Sequence, residues 1–196
     1  MREVELKAVL DSWRDRSIRL ERAGATRVFV GRLEDRRFDT AAQTLAARDI
    51  VLRLRTYTST DGSRAELEFK DATAYEDGYK VREEIGSSVS DPEAVAKMLS
   101  GLGYTVIRAI DRDIEQWTVL GASVRFERYP RMDDLVEVEG APEAIERAIA
   151  VLGIARDAYT AERLTDFVVR FERRTGERAA LSHAELDAGA PAVRER

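Results

Sequence analysis

The feature that most constrains this chain is a strict alternation of charged and apolar side chains that returns in short segments along its length. Residues 3–7 read Glu-Val-Glu-Leu-Lys, 51–55 Val-Leu-Arg-Leu-Arg, 66–70 Glu-Leu-Glu-Phe-Lys, 123–127 Ser-Val-Arg-Phe-Glu and 135–139 Leu-Val-Glu-Val-Glu. In a β-strand, side chains two apart share a face, so each segment presents charge on one side and apolar groups on the other. Further strands are expected at residues 26–39, at 79–86 with Lys80, Arg82 and Glu84 on one face, and at 112–120, which follows an extended stretch from Tyr104. Asp61-Gly62 marks a hairpin between two of them.

Between the strands the period changes to that of a helix. Residues 11–23 carry Trp13, Ile18 and Leu20 among charges and stop at Gly24. Asp91-Pro92 is an N-cap followed by proline at the first helical position, opening a helix to Gly101. Residues 141–153 and 160–174 carry apolar stripes, Ile145, Ala148, Ile149 and Leu152 in the first and Leu164, Phe167, Val168 and Phe171 in the second. Helices need apolar sheet surface to cover. The consistent arrangement is an α+β fold, a closed antiparallel barrel of about eight strands, apolar outside where helices dock and charged within.

A charged interior is costly unless its groups are paired, hydrated or bound to a ligand. Here Glu3, Glu5, Glu127, Glu137 and Glu139 would face Lys7, Arg53, Arg55, Lys70, Arg82, Arg112 and Arg125. For any single strand, an ordinary wet face remains the simpler reading. The chain has no cysteine and one histidine, His183, which excludes thiolate chemistry, histidine triads and multi-histidine zinc sites. Any metal would be held by oxygen, which favours magnesium, manganese or calcium. Clustered guanidinium and ammonium groups suit phosphate oxygens. Metal plus polyphosphate satisfies both halves of the interior. The net charge of −5, from 37 acidic and 32 basic residues, speaks against a nucleic-acid partner, and no signal-like or membrane-spanning run is present, so a cytoplasmic location is expected.

These residues resemble the CYTH superfamily of triphosphate tunnel metalloenzymes, over residues 1–155. The resemblance rests on Glu3-x-Glu5-x-Lys7 at the start, Leu52-Arg53-Leu54-Arg55, Glu68-Phe69-Lys70, Arg82-Glu83-Glu84, Leu102-Gly103-Tyr104 and Glu137-x-Glu139, in that order. It implies a metal site at Glu3, Glu5, Glu137 and Glu139 with Glu127 as a fifth member, and phosphate grips at Arg53, Arg55, Lys70, Arg82, Arg112 and Arg125. Lys7 would bind phosphate or position the nucleophile beside Glu5. Two departures stand out. The family's Lys-x-Arg pair falls on Arg112 and Ile114, so one cation is missing and Arg125 is the candidate to replace it. Glu127 stands where an aspartate is usual.

The resemblance leans toward class IV adenylate cyclases, which convert ATP to cyclic AMP and pyrophosphate. Hydrolysis of inorganic triphosphate or thiamine triphosphate is the alternative, and a non-catalytic nucleotide or polyphosphate binder ranks below both. Residues 156–176 are expected to form a helix packed on the barrel or on another subunit, which leaves a homodimer open, and 177–196 a flexible tail. His183 is expected at the surface, Trp13 and Trp117 in packing, and the charge run 34–39 at a solvated strand end, although Asp35 lies where the family often carries a polar residue.

Overall fold

The structure, a computed structural model, describes residues 2–188. Its strands are β1 (Arg2–Val9), β2 (Thr26–Thr40), β3 (Val51–Ser59), β4 (Gly62–Lys70), β5 (Ala74–Glu76), β6 (Tyr79–Val89), β7 (Tyr104–Val119), β8 (Ala122–Arg128) and β9 (Leu135–Glu139). The helices are α1 (Trp13–Arg22), α2 (Pro92–Gly101), α3 (Pro142–Leu152), α4 (Leu164–Thr175) and α5 (His183–Asp187). Eight strands pair in the order β1-β9-β8-β7-β2-β3-β4-β6, and β6 pairs back to β1, closing an antiparallel barrel. The short β5 hangs on β6 outside the ring. The two stretches expected on either side of residue 112 are one continuous strand, because β7 pairs with β2 along nearly its whole length.

The alternation sorts the side chains as the sequence requires. Leu6, Ala8, Trp117, Val124, Phe126, Val136 and Val138 face outward from β1, β7, β8 and β9 and are buried by Leu20 of α1 and by Ile145, Ala148, Ile149 and Leu152 of α3. On the opposite wall, Phe38, Leu54, Leu52 and Leu67 are covered by Val95 and Leu99 of α2. Trp13 meets Phe126 edge to face, and Trp117 is fully buried, so both tryptophans serve packing. Ser12 caps α1 and Asp91 caps α2, each accepting a backbone N–H three residues on.

Two apolar clusters bound the interior along the barrel axis. At one end Leu33, Tyr57 and Ile114 pack together with Phe29 against them. At the other, Phe167 of α4 and Leu181 seat on Ile110, Tyr129 and Leu135. The expected flexible tail is therefore a structural part over its described length: Ala180 bridges Arg131 through its backbone, and Ala179 to Ser182 are buried. Residues 189–196 lie outside the described residues. The helix expected from residue 160 starts instead at Leu164, since Thr160 exchanges backbone hydrogen bonds with Lys7. Among the described residues no helix is long and apolar enough to cross a membrane.

Gly31 marks the tightest approach between β2 and β3, where a Cβ would lie 2.1 Å from the Thr58 carbonyl oxygen. Gly31→Ala must part the strands beside the Leu33 cluster, and a loss of about 1–3 kcal/mol is expected. An earlier midpoint in urea denaturation would show it, and an unchanged midpoint would contradict it.

Candidate functional site

The inward rows of the strands enclose a cavity of about 220 Å³. Eleven lysines and arginines line it against five aspartates and glutamates, in a chain whose net charge is −5. Of the cations expected from the sequence, Lys7, Arg53, Arg55, Lys70, Arg82, Arg112 and Arg125 all line it, as do Glu5, Glu127 and Glu137. Glu3 and Glu139 are not among its lining residues.

At the centre stands Asp35, 2% exposed. Its Oδ1 accepts from Arg55 Nε at 2.9 Å, its Oδ2 accepts from Arg112 Nη1 at 2.9 Å, and Arg53 Nη1 lies 3.9 Å away. Burial alone would raise its pKa, but Arg55, Arg112 and Arg53 outweigh it and hold the carboxyl well below the usual range. The charge run at residues 34–39 is thus no solvated strand end. Glu34 is exposed, while Asp35 points into the cavity and the buried Asp39 accepts the N–H groups of Thr40, Leu45 and Ala46.

The remaining cations are held in the same way. Glu68 takes Arg53 at 2.7 Å and Arg55 at 3.4 Å. Glu127 accepts from Arg112 and Arg125, each at 3.0 Å, and from the Tyr129 hydroxyl at 2.7 Å. Lys7 sits between Glu5 at 2.7 Å and Glu137 at 2.6 Å. Glu137 also pairs with Arg125, Glu5 with Lys80, and Lys70 with Glu3 and Glu84. Burial opposes the charge on Lys7, but Glu137 and Glu5 outweigh it and raise its pKa, so Lys7 donates hydrogen bonds and is no proton acceptor.

Arg82 lines the cavity but is also engaged outside it. Its guanidinium donates to the backbone carbonyls of Asp71 and Asp49, so it ties two loops to the barrel wall. Ile114 faces inward, where the second cation of a Lys-x-Arg pair was expected, but it belongs to the apolar cluster that closes the barrel end. Cations outside the expected set of phosphate grips supply charge instead: Arg37, Arg108 and Arg163, and Lys80 from the charged face of β6, all line the cavity. Their inward parity was readable from β2, β6 and β7; Arg163 precedes α4 and had no such signal. The Nε of Arg37 and the Nη2 of Arg55 are buried without a hydrogen-bond partner among the described residues, so the cavity holds unmet donors for an anion.

The five glutamates expected to gather around metal are dispersed among cations, and among the described residues no three Asp, Glu or His side chains are pre-arranged to hold an ion. Glu5 and Glu127 each organise cations. Glu137 and Glu3 pair with cations too, with Lys7 and Arg125 and with Lys70, but Glu3, Glu137 and Glu139 also repel one another. Burial first, then Glu137 and Glu3, push Glu139 up to about 7, and burial also raises Glu3. Carboxylates whose like charges oppose one another are oxygen donors that a hard divalent cation fits. Magnesium in particular is commonly held by one or two carboxylates together with substrate phosphates.

Loss of the Asp35 carboxylate would leave three buried guanidiniums short of a partner. Asp35→Asn is expected to cost about 3–5 kcal/mol of stability at neutral pH, measured by denaturant unfolding. Glu68 is held at about 2 by Arg53 and Arg55, against burial and from an ordinary 4.5. A depressed carboxylate contributes stability above its unfolded pKa and loses it as pH falls through the folded one. Wild type should therefore weaken between about pH 4.5 and 2, and Asp35→Asn should show a shallower decline over that window.

The family model of the CYTH domain matches residues 1–150. Among solved structures, a protein of Vibrio parahaemolyticus provisionally assigned as an adenylate cyclase superposes with a TM-score of 0.71 at 15% identity, covering 85% of this chain and 97% of that one. A protein of Pyrococcus horikoshii gives 0.68 at 17% identity, covering 84% and 98%. A Hippeastrum protein provisionally assigned as an adenylyl cyclase, for which a dominant triphosphatase activity was found, gives 0.62 at 18% identity, covering 92% and 98%. No curated protein matches the chain.

Proposed function

The chain belongs to the CYTH domain family, and on that premise we propose that it is a divalent-metal-dependent hydrolase of triphosphate, working on the phosphate chain inside its barrel. The observation that carries this reading is the cavity lining, with its surplus of six cations and with Tyr129 as its one aromatic member. The Tyr129 hydroxyl is already committed to Glu127, and the Arg112 guanidinium lies over its ring, 5.7 Å from the centroid. The walls thus offer a great deal to a polyanion and no aromatic face on which a base would stack.

In this mechanism Arg53, Arg55, Arg112 and Arg125 donate to non-bridging oxygens and neutralise the charge that builds on the leaving pyrophosphate. They are held in place beforehand by Asp35, Glu68, Glu127 and Glu137, so little reorganisation accompanies the reaction. Water attacks the terminal phosphorus, the bond from that phosphorus to the bridging oxygen breaks, and orthophosphate and pyrophosphate leave. Lys7, kept cationic between Glu5 and Glu137, donates to a phosphate oxygen or orients the water. A magnesium or manganese ion at Glu3, Glu137 and Glu139, beside Glu5, would supply Lewis-acid polarisation of the phosphate oxygens.

Cyclisation of ATP is the second reading, favoured by one feature: the lining of the same cavity also includes the apolar side chains Val51, Ile110 and Leu164, against which a nucleoside would rest. Phosphorus NMR separates the two. With magnesium, and separately with manganese, inorganic triphosphate is expected to give orthophosphate and pyrophosphate. Production of cyclic AMP with pyrophosphate from ATP, without orthophosphate from inorganic triphosphate, would overturn the hydrolase. Lys7→Ala is expected to lower kcat about 100-fold or more, as loss of one charge-stabilising donor does elsewhere.

A further inference from the structure

Three arginines stand abreast on the wall of the cavity. Arg53 of β3 is the register partner of Arg37 of β2, and Arg37 is in turn the partner of Arg108 of β7. The strands are neighbours at about 4.8 Å spacing, and all three side chains line the cavity. Like charges placed directly opposite each other destabilise a sheet, so this row needs a counter-charge. Arg53 has one in Glu68. Arg37 and Arg108 form no ion pair with any described carboxylate, and the buried Nε of Arg37 finds no acceptor. Burial and the neighbouring Arg53 and Arg108 pull the pKa of Arg37 down to about 10, partly opposed by Asp35.

Arg37 and Arg108 differ in kind from the cations around them. Arg55, Arg112, Arg125, Lys7, Lys70 and Lys80 are each paired with a carboxylate. Those pairs are already balanced when no ligand is bound. Arg37 and Arg108 lie toward the ends of β2 and β7, beyond Asp35 and Ile110 and away from the Leu33 cluster. A register shift between Arg37 and Phe38 follows at once, and such irregularities commonly re-aim a side chain beside a functional site.

We infer that Arg37 and Arg108, with Arg53, form an outer anion subsite that receives a fourth phosphate of an unesterified polyphosphate chain whose first three phosphates lie deeper in the barrel. The inference rests on the triphosphate-hydrolase reading and extends it to a substrate class, linear inorganic polyphosphates longer than three. A sugar or a thiazolium group brings no anionic oxygen to this row. A phosphate brings several, in the geometry that guanidinium forks accept.

The test is calorimetric binding of inorganic triphosphate and inorganic tetraphosphate without divalent metal, so that neither is hydrolysed. Wild type is expected to prefer tetraphosphate by about tenfold, the effect of one added charge-assisted contact. In Arg37→Gln/Arg108→Gln that preference should collapse toward one, and in Arg37→Lys/Arg108→Lys it should return in part, because charge is restored without the fork. A wild type that binds triphosphate with no preference for tetraphosphate would overturn the subsite and leave the hydrolase reading standing, whether or not the glutamine variant folds. A preference that survives in the glutamine variant would likewise overturn it. Failure of wild type to bind either compound would overturn the subsite, while the hydrolase reading is decided separately by the phosphorus NMR assay with metal.

Discussion

The barrel interior depends on the neutralisation of buried arginines by Asp35. One carboxylate from β2 reaches guanidiniums from β3 and β7, so it ties together three adjacent strands through their inward faces. Isolated buried charge is expensive, and a buried pair is stable only when its geometry is good and its remaining donors are met. Glu68, Glu127 and Glu137 extend the same pattern around the ring. A charge lattice of this kind contributes little net stability against an apolar core. What it supplies is a set of donors fixed in direction before any ligand arrives, and pre-oriented donors are what stabilise charge developing on phosphate.

The lattice is confined by apolar structure. Outside, α1, α3 and α2 cover the two walls of the barrel. Along the axis, the Leu33, Tyr57 and Ile114 cluster closes one end and Phe167 with Leu181 packs into the other. The paired side chains inside are buried, and each ion pair acts at a lower effective dielectric than on the surface. The balance also shifts across the interior. Glu3, Glu137 and Glu139 form a mutually repelling acidic group, while Arg37, Arg53 and Arg108 form a repelling basic row. A metal-bound polyphosphate carries the opposite charge to each.

Much of this was legible in the chain. Alternation with period two in five segments specified strands with one charged face, and helical periods between them required the charge to point inward. The same reading placed Lys7, Arg53, Arg55, Lys70, Arg112, Arg125, Glu5, Glu127 and Glu137 in one cavity. It missed Asp35 because an aspartate inside a run of five charges between 34 and 39 looks like a wet strand end; only pairing with β3 and β7 shows which of those charges are enclosed. Parity placed Arg82 on the inward face, where it lies, and the family resemblance implied a phosphate grip; its donation to the loop carbonyls of Asp49 and Asp71 carried no sequence signal. Ile114 was read as a lost cation, whereas its place at the closed end calls for an apolar side chain. The buried turn around Ala180 and Leu181 carries no periodic signal, since its burial comes from docking on the barrel end.

The sequence by itself determined the period of each element, and with it which side chains share a face, because that information is local to a few bonds. Only the tertiary structure decided which charges meet. Asp35 faces Arg55 and Arg112, and Arg37 faces Arg108, through strand register set by pairings between segments as much as 77 residues apart. The electrostatic character of a carboxylate or guanidinium depends on burial and on neighbours within a few ångströms. Glu127, held at about 2, and Glu139, at about 7, are the same amino acid on neighbouring strands, distinguished by what packs around them.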